Sequence, residues 1–217
     1  MNQEISNYFK QNNYVVIRDF LSQDMCSLLS AYTLLKVQNS DVKYMKNREK
    51  YDEVWDGGWS LDTQIPNTFH LYGDPMMDSL MSLSKSKIEE FTDLNLYNNY
   101  TYWRLYKTHD ELKRHVDRKS CEISSTVCLG YDVSNVDTNV YPDYNWAMFI
   151  KDMSGNEIPV TLNPGDMIIY KGEIIEHWRE PFKGICQAQV FMHYNDANGS
   201  NKIELDGRAC LGIPRGL

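Results

Sequence analysis

The spacing of hydrophobic residues along the chain changes near residue 97. Before that point the spacing is mainly helical. It predicts a short helix over residues 3–12, a second helix after the N-cap Ser22, and a third from Asp74 to Phe91. One β-branched run, Tyr14–Leu21, lies between the first two helices and predicts a strand. The first part of the chain is therefore expected to be a helical support with one early strand.

Beyond residue 97 the apolar residues occur in short, β-rich runs separated by turn residues, of which Asn163–Asp166 is the clearest turn. The runs are Tyr100–Tyr106, Ile123–Tyr131, Trp146–Ile150, Ile158–Leu162, Met167–Tyr170 and Ala188–Tyr194. Several short strands at this spacing favour a β-sandwich or barrel over a βαβ fold. The predicted fold class is mainly β with flanking helices.

Between the helices, residues 38–73 are polar and aromatic and contain Gly57-Gly58, which predicts a long loop. A loop of this length in a compact domain is more often functional than incidental. Its aromatic and amide side chains are suited to covering a small polar substrate or a peptide. The alternative is a loop held against the barrel by its tryptophans.

The composition is that of one soluble domain over residues 1–217, with 42% hydrophobic, 24% charged and 12% aromatic residues. No apolar run approaches the roughly 18 residues that cross a membrane, and the first residues carry no secretory signal, so we expect a cytoplasmic protein. The net charge of −8 argues against nucleic acid as the main partner, because phosphate binding requires a basic face. Five scattered cysteines without a Cys-x-x-Cys pair predict reduced, mostly buried thiols.

Three residues are candidate metal ligands: His115, Asp117 and His177. Residues i and i+2 of a strand point the same way, so His115 and Asp117 can converge on one point. A second imidazole from a distant strand would complete two histidines and one carboxylate, which leave open positions on an octahedral metal, as Fe(II) oxygen chemistry requires. His-x-Asp alone is weak evidence, and a surface pair with an unrelated core histidine is the alternative.

The residues around these three candidates favour the metal site over an unrelated pair and histidine. Tyr106 lies nine residues before His115, with the apolar Leu112 between them, and the turn Leu162–Asp166 precedes His177. In this order and spacing, the sequence resembles the Fe(II)/2-oxoglutarate-dependent dioxygenases, in particular their prolyl-hydroxylase-like branch. The strand at residues 14–19 and the amphipathic helix after it are similar to that family's usual opening, so the resemblance extends over about residues 8–195.

The resemblance implies a double-stranded β-helix, or jelly roll, over residues 97–195, with helical support and a substrate loop in residues 1–96 and a C-terminal tail in residues 196–217. It implies that the three candidate ligands hold Fe(II) as the catalytic centre, with 2-oxoglutarate as cosubstrate and O₂ as oxidant. Related halogenases carry a small residue in the place of Asp117. The carboxylate therefore favours hydroxylation of an unactivated C–H bond.

The cosubstrate site departs from the family pattern. The family usually has a Lys or Arg about ten residues after the distal His, to pair with the C5 carboxylate of 2-oxoglutarate. Here that position is Gln187, whose amide cannot neutralise a carboxylate. Arg104 is the favoured substitute, because it lies on the same predicted strand face as Tyr106, and Arg118 and Arg179 are alternatives. The neutral hydrogen-bonding groups expected beside Arg104 are Tyr106, Gln187 and Gln189.

The resemblance favours a prolyl or other residue of a peptide or protein as the substrate, with a free amino acid or small metabolite as the alternative. The residues expected to contact it are Arg118, Trp146, Arg179 and Trp59. No oligomeric state is predicted. Two other functions remain open: a non-catalytic jelly-roll module that binds metal, suggested by Gln187, and a zinc-dependent hydrolase with the same ligands.

Overall fold

A computed structural model describes residues 2–214 of the chain. Its helices are α1 (Asn2–Asn12), α2 (Gln23–Lys46), α3 (Glu53–Asp56) and α4 (Pro75–Thr92). Its strands are β1 (Tyr14–Ile17), β2 (Phe69–Tyr72), β3 (Leu96–Lys107), β4 (Leu112–His115), β5 (Ile123–Asp132), β6 (Met148–Lys151), β7 (Glu157–Val160), β8 (Met167–Lys171), β9 (His177–Arg179) and β10 (Cys186–Asp196). No helix in this range is long and apolar enough to cross a membrane.

The strands form two antiparallel sheets that pack face to face. The larger sheet has the order β1-β8-β5-β10-β3-β2 and the smaller sheet the order β4-β9-β6-β7. Residues of both sheets share buried clusters: Ile168 packs with Ile150 in one, and Tyr106 with Leu112 in another. The predicted jelly roll with N-terminal helices is confirmed.

The outer face of the larger sheet is apolar and is covered by the helices. Trp103, Val190 and Met192 are fully buried there, in one cluster with Phe9 of α1 and Met81 of α4. Each fully buried side chain of this size contributes roughly 1.5–3 kcal/mol to folding. This face therefore provides the main hydrophobic core.

The inner face of the same sheet is polar. Side chains of a strand alternate between faces, so the residues between the apolar ones on β3 and β10 point towards the smaller sheet. They are Tyr100, Tyr102, Arg104 and Tyr106 on β3, and Gln187, Gln189, Phe191 and His193 on β10. The register places Gln187 opposite Tyr106 and Gln189 opposite Arg104. Arginine and glutamine on a buried strand face indicate a site for polar ligands rather than a second apolar core.

The helix starts follow the sequence prediction, but α2 is longer than expected. Ser22 accepts a hydrogen bond from the backbone N–H of Met25, and Asp74 accepts from Met76 at 2.8 Å, as N-cap residues do. The prediction of one long loop over residues 38–73 is wrong in part, because α2 continues to Lys46 and α3 and β2 also lie within this range.

The cysteine prediction is confirmed for the part of the chain that the structure describes. Cys26, Cys121 and Cys128 are buried free thiols, Cys186 is half-buried and Cys210 is exposed. Burial raises the pKa of the Cys128 thiol to about 12, which keeps it protonated and unreactive.

Candidate active site

The two predicted histidine ligands lie side by side on the smaller sheet. His115 ends β4 and His177 begins β9, and the two are paired across the strands with ring centroids 4.2 Å apart. Asp117 follows β4, and its Oδ1 atom lies 3.7 Å from the Nε2 atom of each histidine. The structure thus brings together all three residues that the sequence predicted as metal ligands.

Both histidines are oriented in the same way. The Nδ1 atom of His115 is 2.7 Å from the carbonyl oxygen of Lys113, and the Nδ1 atom of His177 is 2.9 Å from that of Ile175. A carbonyl can only accept, so Nδ1 carries the proton and Nε2 keeps its lone pair, which is the arrangement of metal-binding histidines. Burial lowers the pKa of His177 and Asp117 opposes this only in part, so the ring is neutral and ready to ligate.

The third ligand, Asp117, is held from behind. Its backbone N–H donates to the carbonyl of Gly172 at 2.8 Å, and its Oδ2 atom accepts a hydrogen bond from Ser124 at 2.7 Å. A side chain at Gly172 would force the structure to shift, since its Cβ atom would collide with the Cys121 carbonyl oxygen and lie 2.5 Å from Oδ2 of Asp117. Ser124 is also 3.0 Å from the Nδ1 atom of His193. With Oδ2 engaged, Oδ1 is left to face the histidines.

A cavity of about 430 Å³ opens over the triad. The inner face of β3 and β10 forms one wall, with Tyr100, Tyr102 and Phe191, and residues 61–64 of the predicted loop lie over it. Burial lowers the pKa of His193, which also lines the cavity, to about 4, so this ring is neutral at physiological pH. Sequence reasoning suggested a covering role for this loop but did not find Ser124 or Gly172, because a lone serine or glycine carries no pattern.

Arg104 lines this cavity but is already paired. Its Nε atom donates to Oδ2 of Asp62 at 2.7 Å, and its Nη2 atom donates to Gln64 at 2.7 Å. Tyr102 donates to the same Asp62 oxygen at 2.9 Å. Burial raises the pKa of Asp62, but the charge of Arg104 and the hydrogen bonds from Gln64, Arg104 and Tyr102 together outweigh it, so the net pKa is lower than usual. The pair fixes the covering loop to the sheet, and the assignment of Arg104 to the cosubstrate stays a prediction.

Arg179 is in the opposite situation. It is 1% exposed, stacks 4.7 Å from the Trp146 ring and donates from Nη1 to the Trp146 carbonyl at 2.7 Å. Its Nη2 atom is buried and has no hydrogen-bond partner among the described residues. Burial lowers the pKa of this guanidinium, because its charged form has lost water.

The four residues predicted to contact the substrate lie in different places. Arg118 lines the cavity and makes two hydrogen bonds to Asp206, at 2.8 and 2.6 Å, which fasten the segment around Asp206 to the rim. Trp146 and Arg179 are buried between the sheets, and Trp59 packs edge-on against Phe69. Of the four, the structure places only Arg118 in the cavity lining, and the substrate roles stay predictions.

Comparisons with known proteins add the fold-level evidence. No family model and no curated protein sequence matches the chain. Among solved structures, the carbocyclase SnoK from nogalamycin biosynthesis, a non-heme α-ketoglutarate-dependent protein, aligns with a TM-score of 0.68 at 12% identity, over 99% of this chain and 93% of its own. The fold is that of the 2-oxoglutarate oxygenases.

Two further structures with this 2-oxoglutarate oxygenase fold belong to the branch that the sequence resembles. A Pseudomonas putida prolyl-4-hydroxylase aligns with a TM-score of 0.64 at 14% identity, over 90% of this chain and 99% of its own. A prolyl hydroxylase from Trichoplax adhaerens, solved with a peptide fragment, aligns with a TM-score of 0.61 at 14% identity, over 90% of this chain and 89% of its own. At such identities the likeness extends to the fold alone.

Proposed function

We propose that this protein is an Fe(II)/2-oxoglutarate-dependent dioxygenase that hydroxylates an unactivated C–H bond. The observation that carries the proposal is the arrangement of His115, Asp117 and His177, with two Nε2 atoms and one carboxylate oxygen turned to a common point. Two imidazoles and one carboxylate on one side of a metal are the ligand set of non-heme Fe(II) oxygenases.

The donor set fits Fe(II) chemically. Both imidazoles are fixed in the ligating tautomer, and the carboxylate is hydrogen-bonded on the oxygen that does not face them. The cavity beside the triad leaves room for a bidentate 2-oxo acid and for a substrate. When bound, iron, 2-oxoglutarate and O₂ supply a reaction in which one oxygen atom enters the C–H bond and the other enters succinate, with release of CO₂.

The protein's own groups orient the reactants and exclude water. Residues 61–64, held by the Asp62–Arg104 pair, lie over the cavity and limit access of solvent to the triad. Tyr100, Tyr102 and Phe191 line the cavity, and aromatic side chains there suit the apolar part of a substrate. Ser124 keeps the Asp117 carboxylate in one rotamer.

For the substrate, we propose a prolyl or other residue of a peptide, in keeping with the spacing from Tyr106 to His115 and with the two prolyl hydroxylases of the same fold. The size of the cavity favours a second candidate, a free amino acid or small metabolite, because about 430 Å³ is a volume that holds small molecules. Both classes belong to the same reaction type.

The test is substrate-stimulated conversion of 2-oxoglutarate to succinate. Purified protein with Fe(II), ascorbate and 2-oxoglutarate is screened against proline-containing peptides and free amino acids, and succinate and hydroxylated product are measured by mass spectrometry. We expect equal amounts of succinate and of a product heavier by one oxygen atom. Metal binding without succinate formation in any mixture would instead support the non-catalytic module.

A further inference from the structure

Four buried polar atoms between the sheets lack a hydrogen-bond partner among the described residues: Nη2 of Arg179, Nε2 of Gln189, the hydroxyl of Tyr106 and Oγ1 of Thr126. All four can donate a hydrogen bond. Leaving one such group buried and unpaired costs about 1–3 kcal/mol, and more for a charged group. Several together indicate a missing acceptor rather than a set of separate packing faults.

These residues come from facing surfaces. Gln189 lies opposite Cys128 on β5, and its neighbour on the same face, Gln187, lies opposite Tyr106 on β3. Arg179 projects from β9 of the other sheet. The Trp146 ring joins the two sides, because it is 4.7 Å from the Arg179 guanidinium carbon and 4.9 Å from the centroid of Tyr106. The unpaired donors therefore border one region in the interior.

The charge in this region is also uncompensated. Arg104, the buried arginine on the facing sheet, is neutralised by Asp62, whereas the only hydrogen-bond acceptor of Arg179 among the described residues is a main-chain carbonyl. A buried cation requires an opposite charge to offset its loss of water. A carboxylate matches the need, because its two oxygens accept several hydrogen bonds and pair with a guanidinium fork.

The position relative to the metal ligands sets the length of the molecule. His177 and Arg179 are two residues apart on β9, both are buried, and residues i and i+2 of a strand point to the same side about 6.6 Å apart. A molecule held at the triad by a 2-oxo acid group and at Arg179 by a second carboxylate would span a few carbon atoms. A five-carbon 2-oxo diacid has this form.

We propose that Arg179, assisted by Tyr106 and Gln189, binds the distal carboxylate of the cosubstrate. The inference rests on the proposed function and moves the cation from β10, where Gln187 stands, to the metal-ligand strand β9. Arg104 then serves the covering loop instead. Arg179 becomes the residue that selects a dicarboxylic 2-oxo acid over a monocarboxylic one.

The test compares two cosubstrates on two proteins. 2-Oxoglutarate and 2-oxopentanoate have the same five carbons, but the second ends in a methyl group. Their dissociation constants are measured by titration calorimetry on the Mn(II)-loaded protein without O₂, for wild type, Arg179→Met and, as the matched control, Arg104→Met. We expect Arg179→Met to weaken the binding of 2-oxoglutarate on the order of 100-fold and to change the binding of 2-oxopentanoate little, since only the diacid loses a charge partner.

The control separates the two arginines. Arg104→Met is expected to leave the ratio of the two dissociation constants as in wild type, even if it alters both. A ratio that collapses in Arg104→Met and persists in Arg179→Met would overturn the inference and return the role to Arg104. An equal loss of both cosubstrates in Arg179→Met would also overturn it, because that pattern indicates a structural role only.

Two further measurements test the inference if Arg179→Met does not fold. Arg179→Lys keeps the charge and is expected to keep a preference for the diacid, weaker than in wild type. In wild type alone, equal affinity for the two cosubstrates contradicts the inference without any variant. If wild type binds Mn(II) and 2-oxopentanoate but shows no preference for 2-oxoglutarate, the inference alone fails. If it binds neither 2-oxo acid, the proposed function fails with it.

Discussion

The two faces of the larger sheet differ in whether the protein itself supplies partners for their buried polar groups. On the outer face, Trp103 is fully buried, and its Nε1–H is paired with Asp74 at 3.3 Å. On the inner face, one residue along β3, Arg104 is neutralised by a residue of the covering loop. Arg179 on the facing sheet has no carboxylate partner within residues 2–214. One face is satisfied by folding, whereas the other requires a ligand.

This difference separates stability from function. Apolar burial on the outer face contributes free energy that does not depend on any ligand. The inner face carries unpaired donors and a charge, which lower the free energy of unfolding of the ligand-free protein until an acceptor binds. We therefore expect substitutions on the two faces to be distinguished by whether they change unfolding or ligand binding.

The largest effect is expected at the triad. Asp117→Ala removes the only carboxylate of the ligand set and leaves two neutral imidazoles, so turnover should fall by more than about 100-fold, which is more than loss of a hydrogen bond to a metal ligand costs. The fold should persist, since Asp117 is partly exposed at the end of β4 rather than in the core. Succinate formation and thermal unfolding check the two halves of this prediction.

On the outer face, we expect a substitution to change stability strongly and ligand binding little. Trp103→Ala leaves a large cavity in the core and should lower the free energy of unfolding by about 3–5 kcal/mol. The variant that remains folded should still bind metal and 2-oxoglutarate with nearly wild-type affinity. Denaturant unfolding and calorimetry on the folded variant provide the comparison, and a large loss of affinity would break the separation of the two faces.

The inner face should also make stability depend on pH. Burial holds the pKa of His193 at about 4, against an ordinary value of 6.5, so the unfolded chain binds a proton there first as the pH falls. Above pH 6.5, His193 does not reduce the free energy of unfolding. Between pH 6.5 and pH 4 the free energy of unfolding falls progressively, by up to about 3 kcal/mol. His193→Gln should flatten the stability curve of the metal-free protein between these pH values.

The smallest effect is expected behind the triad. Ser124→Ala removes the hydrogen bond that holds Oδ2 of Asp117 but no ligand, so metal affinity should fall about 10–100-fold. Ser125→Ala is a matched control, since the neighbouring hydroxyl donates to the Met192 carbonyl instead. Competition with a metal chelator measures the metal affinity of both variants. Equal metal affinities would contradict a role for Ser124 in supporting the ligand Asp117.

Much of this could be predicted from the sequence where residues follow a period or a known spacing. The long strands β3, β5 and β10 and the caps Ser22 and Asp74 follow such rules, and so does the pair His115 and Asp117. Strands β4 and β9 were not among the predicted runs, because their sequences, LKRH and HWR, are mostly polar and lack the β-branched residues that indicate a strand.

What the sequence could not provide is pairing across long separations. Arg104 appeared free because Asp62, its partner, lies 42 residues earlier in a loop without a pattern. Arg179 appeared to be one of several available cations, and only burial without a counter-charge distinguishes it. Such pairings arise from tertiary packing, which local propensity does not encode.

The most direct test of the central claim is an anaerobic titration of the metal-free protein with Fe(II) and then with 2-oxoglutarate. The readout is the weak visible charge-transfer band of 2-oxoglutarate chelated to Fe(II), with Asp117→Ala as the control. We predict a band that saturates at one equivalent of each in wild type and is absent from the variant. Iron binding without a band in wild type would contradict the claim that the inner face is completed by this metal and this cosubstrate.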